Sequence, residues 1–465
     1  MGIKGNLKLV ITAQAIVMLA SLVKAFVLPK ILTVDYYSFW QVYVLYSGYV
    51  GIFSLGYSDG VYLLYGDREY NKLPFKELRA TNRLFALILM ILTVLLAGLV
   101  ILAVHEPNKR SALLWTVLDI PPVCLIGLVL YIFQITNRFS QYRLYSVLDK
   151  ILIIAAIGFL AFFAPPLPGP YEAADCLVKY VICFVVLVKF RELFFGSAVS
   201  LKVCAKNYLT TSKVGLSLLF ANMIGMLVIG AGRIVVELSG DVASYAYYSF
   251  GVSVTNVLLA FVTAASLVVY PHLKRLDSAR YSKYFRDIEK IATVGALLCI
   301  GSYFILSKFV DSVFPDYKTL VSYLPFLLLS VAGQIKMQVL NNSFYKALRM
   351  EKRMLAANVQ SIALFVLLGL PGYVLTGNAW FIAFGTGVAL IIRSWMSEFE
   401  ICRVLDSSLS KTTLFEIALS VGFSLSAIIS FFQQGYSCWL PLIASACFVS
   451  AIYLFVRFRH QSELS

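Results

Sequence analysis

Lys24, Asp59, Arg233, Lys336 and Arg393 share one property: each is an ionisable side chain set inside a run of apolar residues. A charge in lipid is costly, so such a residue marks a substrate or ion pathway unless something simpler explains it. For a long Lys or Arg, the simpler explanation is that it reaches back along its helix to the headgroups. Lys24 has Ala20, Ser21, Val27 and Leu28 at the helical neighbouring positions, so no acid on its own helix neutralises it. Both a cavity role and snorkelling are open to it. Arg233 has Glu237 four residues on, where a helical ion pair would place it, and this favours a structural role. Lys179, Lys336 and Arg393 lie toward the ends of their runs, where snorkelling is favoured. Asp59, in Leu55-Gly56-Tyr57-Ser58-Asp59-Gly60, is too short to snorkel. It could bind a coupling cation, orient a cationic side chain or cap a helix break beside Gly60.

Other chemistry finds little support. The three histidines (His105, His272, His460) are scattered, with no H-E-x-x-H, and no metal site is expected. Among the eight cysteines there is no CxxC or Cys/His cluster, and Cys124, Cys183, Cys299 and Cys447 sit in apolar runs as packing residues. No G-x-x-x-x-G-K-[ST] loop is present, so direct ATP hydrolysis has no site and no cofactor is expected.

The elements that hold these residues must be membrane spans. Sixty per cent of the 465 residues are apolar or aromatic, only 14% are charged, and the mean hydropathy is +0.83. A soluble chain has about a quarter of its residues charged. The apolar residues also come in runs rather than stripes, and lipid is the solvent that accepts such a surface. Runs of about 20 apolar residues, enough to cross the hydrocarbon core, fall at 7–28, 38–65, 84–104, 113–136, 151–164, 174–190, 214–237, 244–271, 291–310, 320–343, 354–374, 378–400, 412–432 and 437–456. The first is too long for a signal-peptide core and has no small-residue cleavage site.

Charge tests this count independently. With the N-terminus in the cytoplasm, 29 of the 39 Lys and Arg fall in inside segments, five in outside loops and five within spans. The bias never reverses, as cytoplasmic loops require. Fourteen spans with both termini inside is the expected topology. The net charge of +15 is therefore a topology signal, and no nucleic-acid partner is expected.

A short repeat suggests two halves. Tyr36-Tyr37-Ser38-Phe39 recurs as Tyr247-Tyr248-Ser249-Phe250, an offset of 211 residues, close to the 207 between the starts of spans one and seven. The implied unit is six spans, and the two copies would be related by an axis along the membrane normal. The expected organisation is a six-helix bundle over 1–212, a second over 213–410, and two further helices with a tail over 411–465. Tyrosines crowd span two, and the mid-span hydroxyls of Tyr46 and Tyr49 need partners. A sugar-bearing substrate would supply them, as would a neighbouring helix.

Leu28-Pro29-Lys30-Ile31-Leu32, Asp35-Tyr36-Tyr37-Ser38-Phe39-Trp40-Gln41, Tyr49 through Gly60, and Leu64-Tyr65-Gly66 resemble the N-terminal region of Wzx-type polysaccharide repeat-unit flippases. These belong to the multidrug/oligosaccharidyl-lipid/polysaccharide exporter superfamily. The resemblance covers roughly residues 5–70. It implies a transporter of the bacterial cytoplasmic membrane that carries an undecaprenyl-diphosphate-linked oligosaccharide to the outer leaflet, with membrane lipids and polysaccharide polymerase machinery as partners. It also implies a cationic cavity between two lobes, a theme that Lys24 and Arg233 match by position, and Lys24 is the expected diphosphate contact.

The nearest competing reading is a drug or metabolite cation antiporter of the same superfamily. Span one offers Lys24 but no acid, which disfavours it. A membrane-embedded polymerase or ligase is a further alternative, disfavoured because the outside loops are short and poor in charge.

Overall fold

The computed structural model describes residue 16 and residues 19–66, 68–197, 199–273, 280–433 and 439–463. Lys4, Lys8, Lys274, Arg275 and residues 434–437 of the expected last outer loop lie outside the described residues. Among the described residues there is no strand. Among the described residues, nine helical tracts are long and apolar enough to cross a membrane, or ten if the two parts of α9 form one span. The chain is an all-α polytopic membrane protein. It divides into two compact units, 1–226 and 227–465.

The first unit contains α1 (19–31), α2 (Val34–Tyr49), α3 (Tyr57–Leu64), α4 (Phe75–Ala103), α5 (Pro107–Leu118), α6 (Ile120–Ile135), α7 (Phe139–Phe163), α8 (Pro168–Lys189) and the first part of α9 (Leu201–Leu238). α6 supplies much of its core, with Leu128, Ile132 and Phe133 wholly buried. α4 turns Met90, Val94, Leu95, Leu99 and Leu102 outward as an exposed apolar face suited to lipid.

The second unit contains the rest of α9, α10 (Val242–Leu273), α11 (Tyr281–Gly301), α12 (Tyr303–Val313), α13 (Leu320–Lys336), α14 (Asn342–Ala347), α15 (Glu351–Thr376), α16 (Trp380–Val404), α17 (Lys411–Phe432) and α18 (Trp439–Glu463). Its central element is α13, buried along its whole length. α13 lies close against α16 because Gly333 and Gly387 leave room. A Cβ on Gly333 would sit 2.5 Å from the Leu390 carbonyl oxygen, and one on Gly387 would sit 2.4 Å from that of Phe326.

Span nine breaks at Ser302, between α11 and α12, and three more of the expected spans are interrupted beside an ionisable residue. Span two passes from α2 into a 3-10 turn, Val50–Ser54, then through left-handed Leu55 (φ 49°) and Gly56 (φ 77°) into α3, whose third residue is Asp59. Span four breaks at Asp119, between α5 and α6. Pro121 and Pro122 follow; neither has an N–H for the carbonyls of Val117 and Leu118, so the first helix cannot continue. Span ten runs into a π-helical turn, Met337–Asn341, directly after Lys336. Such turns displace the side chains around them and are frequent at functional sites.

Candidate functional site

The first unit encloses a cavity of about 580 Å³ between α2, α3, α6, α7 and α9. Its polar wall is Tyr49, Asp59, Tyr131, Gln134, Tyr142 and Asn222. Gly48, Gly51 and Gly127 also line it, and a Cβ on any of them would meet nothing within 4 Å, so these glycines face open space. Asp59 occupies the first turn of α3, where backbone N–H groups favour a negative charge. It is buried, and the Tyr131 side chain lines the same cavity. Tyr49 donates to the Met226 carbonyl at 3.4 Å. The mid-span hydroxyl thus has a helical neighbour, while its ring lines the cavity. Aromatic faces, one carboxylate and two amides in an apolar wall can hold a flat, hydroxyl-rich molecule.

Three glycines fix this wall. Gly56 and Gly60 on one side meet Gly215 of α9 on the other. A Cβ on Gly60 would lie 1.9 Å from the Thr211 carbonyl oxygen, and one on Gly215 would lie 2.0 Å from that of Gly56. The small-xxx-small spacing lets the backbones touch.

Lys24 does not line this cavity. Its ammonium forms an ion pair with Asp175 of α8. Asp175 also holds Lys179 at 2.8 Å, and Lys179 is paired with Asp119 at the α5–α6 break. The Tyr43 hydroxyl lies between Asp119 and Asp175, 2.9 and 2.8 Å from their oxygens, and Ser47 donates to Asp119 at 2.8 Å. Two cations and two carboxylates balance. Asp119 is wholly buried, whereas the Lys24 side chain keeps 24% of its exposure. Low local dielectric strengthens the pairing and makes the loss of either partner costly.

The second unit has its own buried network. Lys336 is fully buried and bonded to Glu398 of α16 at 2.5 Å and Glu416 of α17 at 2.6 Å. It therefore differs from the snorkelling expected of it, because its span extends beyond it through the π turn and α14 to Ala347. Thr413 links Glu289 of α11 and Glu398, with contacts of 2.6 and 2.7 Å, and Trp395 donates to Glu416 at 3.3 Å. Arg233 is half-buried and its guanidinium lies 3.5 Å from the Tyr245 hydroxyl. Arg393, also buried, donates to Asn358 of α15 at 3.1 Å.

Sequence reasoning singled out the cations and Asp59 but passed over Asp119, Asp175, Glu289, Glu398 and Glu416. The available signal was the same one applied to the lysines: acids interrupting or bordering apolar runs. Among the described residues, no group of three His, Cys, Asp or Glu side chains is placed to hold a metal ion.

No protein-family model and no curated protein sequence matches the chain. Solved structures do. The lipid II flippase MurJ, in an inward closed conformation, superposes with a TM-score of 0.72 at 14% identity, over 98% of this chain and 99% of that one. The Vibrio cholerae MATE transporter VcmN gives 0.55 at 15% identity, over 87% and 96%. An inward-facing multidrug resistance MATE transporter of the MOP superfamily gives 0.52 at 15% identity, over 87% and 95%. Identities this low speak to architecture alone, and the architecture is plain: the chain has the all-helical fold of the MOP-superfamily transporters.

Proposed function

We propose that this protein is a flippase that moves an undecaprenyl-diphosphate-linked oligosaccharide from the inner to the outer leaflet of the bacterial cytoplasmic membrane by alternating access. The observation that carries this reading is the 580 Å³ cavity of the first unit, with tyrosine rings, Asp59, Gln134 and Asn222 around an apolar, glycine-lined floor. Sugars need that combination of hydrogen bonds and aromatic faces. The sequence resemblance over residues 5–70 and the fold shared with a lipid-linked flippase support it. In this reading the chain makes fourteen spans with both termini in the cytoplasm. Its bundles span 1–212 and 213–410, residues 411–465 add two helices, and polysaccharide polymerase machinery takes the product. Lys24, partly exposed beside Asp175, is the contact for the diphosphate. Arg233 and Lys336 are further cationic candidates.

One observation favours a second reading, a cation antiporter. Asp59 is the acidic residue in the cavity wall, and a carboxylate in an apolar cavity attracts an organic cation. Purified protein in liposomes separates the two. Translocation of a fluorescent lipid-linked oligosaccharide, read with a membrane-impermeant sugar-modifying reagent, supports the flippase. Uptake of an organic cation with no sugar-lipid movement supports the antiporter.

A further inference from the structure

Glutamates from three helices meet in the interior of the second unit. Glu289 of α11, Glu398 of α16 and Glu416 of α17 are all wholly buried. Two cations answer them: Lys336 pairs with Glu398 and Glu416, and the Arg286 guanidinium lies 3.4 Å from Glu289. Among the described residues, three carboxylates against two cations leave one negative charge over, where an unbalanced charge is costly. Other charged side chains on these helices are engaged elsewhere: Lys290 with Asp287, Glu400 with Arg353 and Arg393 with Asn358. Lys283, Arg403, Lys411 and Arg457 are exposed. The other described titratable groups buried on α11, α13, α16, α17 and α18 are Tyr323 and the thiols of Cys299, Cys402 and Cys447, which bring no charge near neutral pH.

Counting hydrogens leads to the same imbalance. The Thr413 hydroxyl oxygen lies 2.6 Å from a Glu289 oxygen and 2.7 Å from a Glu398 oxygen. A hydroxyl has one hydrogen to give and two lone pairs that receive. It donates to one carboxylate only. The other contact sets lone pair against lone pair unless that carboxyl carries a hydrogen of its own. One hydrogen split between both oxygens would hold them farther off, because both distances are already those of a full O–H···O bond. The Ser410 hydroxyl, 3.3 Å away, donates to the second lone pair of Thr413. One donated and two accepted hydrogens then satisfy Thr413, and the added hydrogen brings the network to charge balance.

We propose that Glu289 and Glu398 share one bound proton across Thr413, which makes the junction of α11, α16 and α17 a proton site. Release of the proton leaves two carboxylates facing each other across one hydroxyl, with a negative charge that Lys336 and Arg286 do not cancel. α17 then loosens against α11 and α16. Arg286 gives the proton a way out, since its side chain keeps 29% of its exposure and brings water to the edge of Glu289. In a transporter, such a site lets the pH of one aqueous side act on helix packing, and it stands whichever substrate is carried.

The test uses the full chain in nanodiscs and compares Glu289→Gln, Glu398→Gln and the variant carrying both. Infrared difference spectra at neutral pH, unaltered protein minus variant, should show the carbonyl stretch of one protonated carboxyl group, lost in either single variant. An amide has the shape of a protonated carboxyl and donates to Thr413 in its place, so Tm of each single variant should match that of the unaltered protein. The double variant leaves Lys336 and Arg286 with Glu416 alone, and its Tm should fall by several degrees. Amide hydrogen exchange reads the helix motion. As the medium goes from mildly acid to mildly alkaline the proton is lost, and α17 of the unaltered protein should exchange severalfold faster than α17 of Glu398→Gln at the same pH. Four results each overturn the proposal: no protonated carboxyl lost in either single variant, a fall in Tm in either of them, a double variant as stable as the singles, or α17 exchange that matches Glu398→Gln at every pH.

Discussion

Lys24 on α1 and Asp175 on α8 form an ion pair across 151 residues of sequence, and Lys179 shares the same carboxylate. The charge that the sequence leaves unneutralised on its own helix is met by a distant one. Asp175→Asn would leave Lys24 and Lys179 with Asp119 alone, and should cost about 3 kcal/mol, the scale for breaking a buried pair. Lys24→Met should cost less, because Lys179 still balances Asp175 and Lys24 is partly exposed. Thermal unfolding in detergent measures both; the reverse order would show that Asp175 does not anchor this cluster.

Lys336 holds Glu398 and Glu416 together at 2.5 and 2.6 Å with no solvent contact. Lys336→Met strands two buried carboxylates and should lower stability by about 3–5 kcal/mol. Adding Glu398→Gln and Glu416→Gln to it should recover much of that loss. If the triple variant is no more stable than Lys336→Met, the network is held by something other than charge balance.

The crossing of Gly60 and Gly215 has no room for a methyl group, with 1.9 and 2.0 Å to opposing carbonyl oxygens. Gly60→Ala must push α3 from α9 and should cost at least the 1–3 kcal/mol typical of overpacking. Gly127→Ala, whose Cβ meets nothing within 4 Å, should leave stability unchanged. Expression level and Tm of the pair give the contrast, and equal effects would contradict the close approach.

Asp59→Asn keeps the shape of the cavity and removes its charge. In the flippase reading, amide and carboxylate both accept hydrogen bonds from sugar hydroxyls, so translocation should fall by about tenfold or less, on the scale of the difference between a charged and a neutral hydrogen bond. Tyr131→Phe should act in the same direction. In the antiporter reading, Asp59→Asn should abolish cation transport. The same liposomes report both activities.

The helical tracts and their apolar character were legible because a span writes itself locally, in twenty consecutive residues. The breaks were half legible. Pro121-Pro122 announces the one at Asp119, but nothing in Lys336-Met337-Gln338 announces a π turn. The charge networks were hidden for a different reason. Helical spacing pairs residues three or four apart, whereas Lys179 meets Asp119 at a separation of 60 and Lys336 meets Glu416 at 80. Hydropathy stops at 343 and 400 and so places Lys336 and Arg393 near span ends, while the helices run on to Ala347 and Val404. A few added residues move a side chain from the interface into the interior.

The central claim is the lipid-linked oligosaccharide, and the most direct measurement is to delete the gene in its host. Lipid-linked oligosaccharides would then be extracted, identified by mass spectrometry and assigned to a leaflet. The account predicts a complete oligosaccharide accumulating on the cytoplasmic leaflet, cleared when the gene is restored. Normal lipid-linked pools together with normal surface polysaccharide would contradict it.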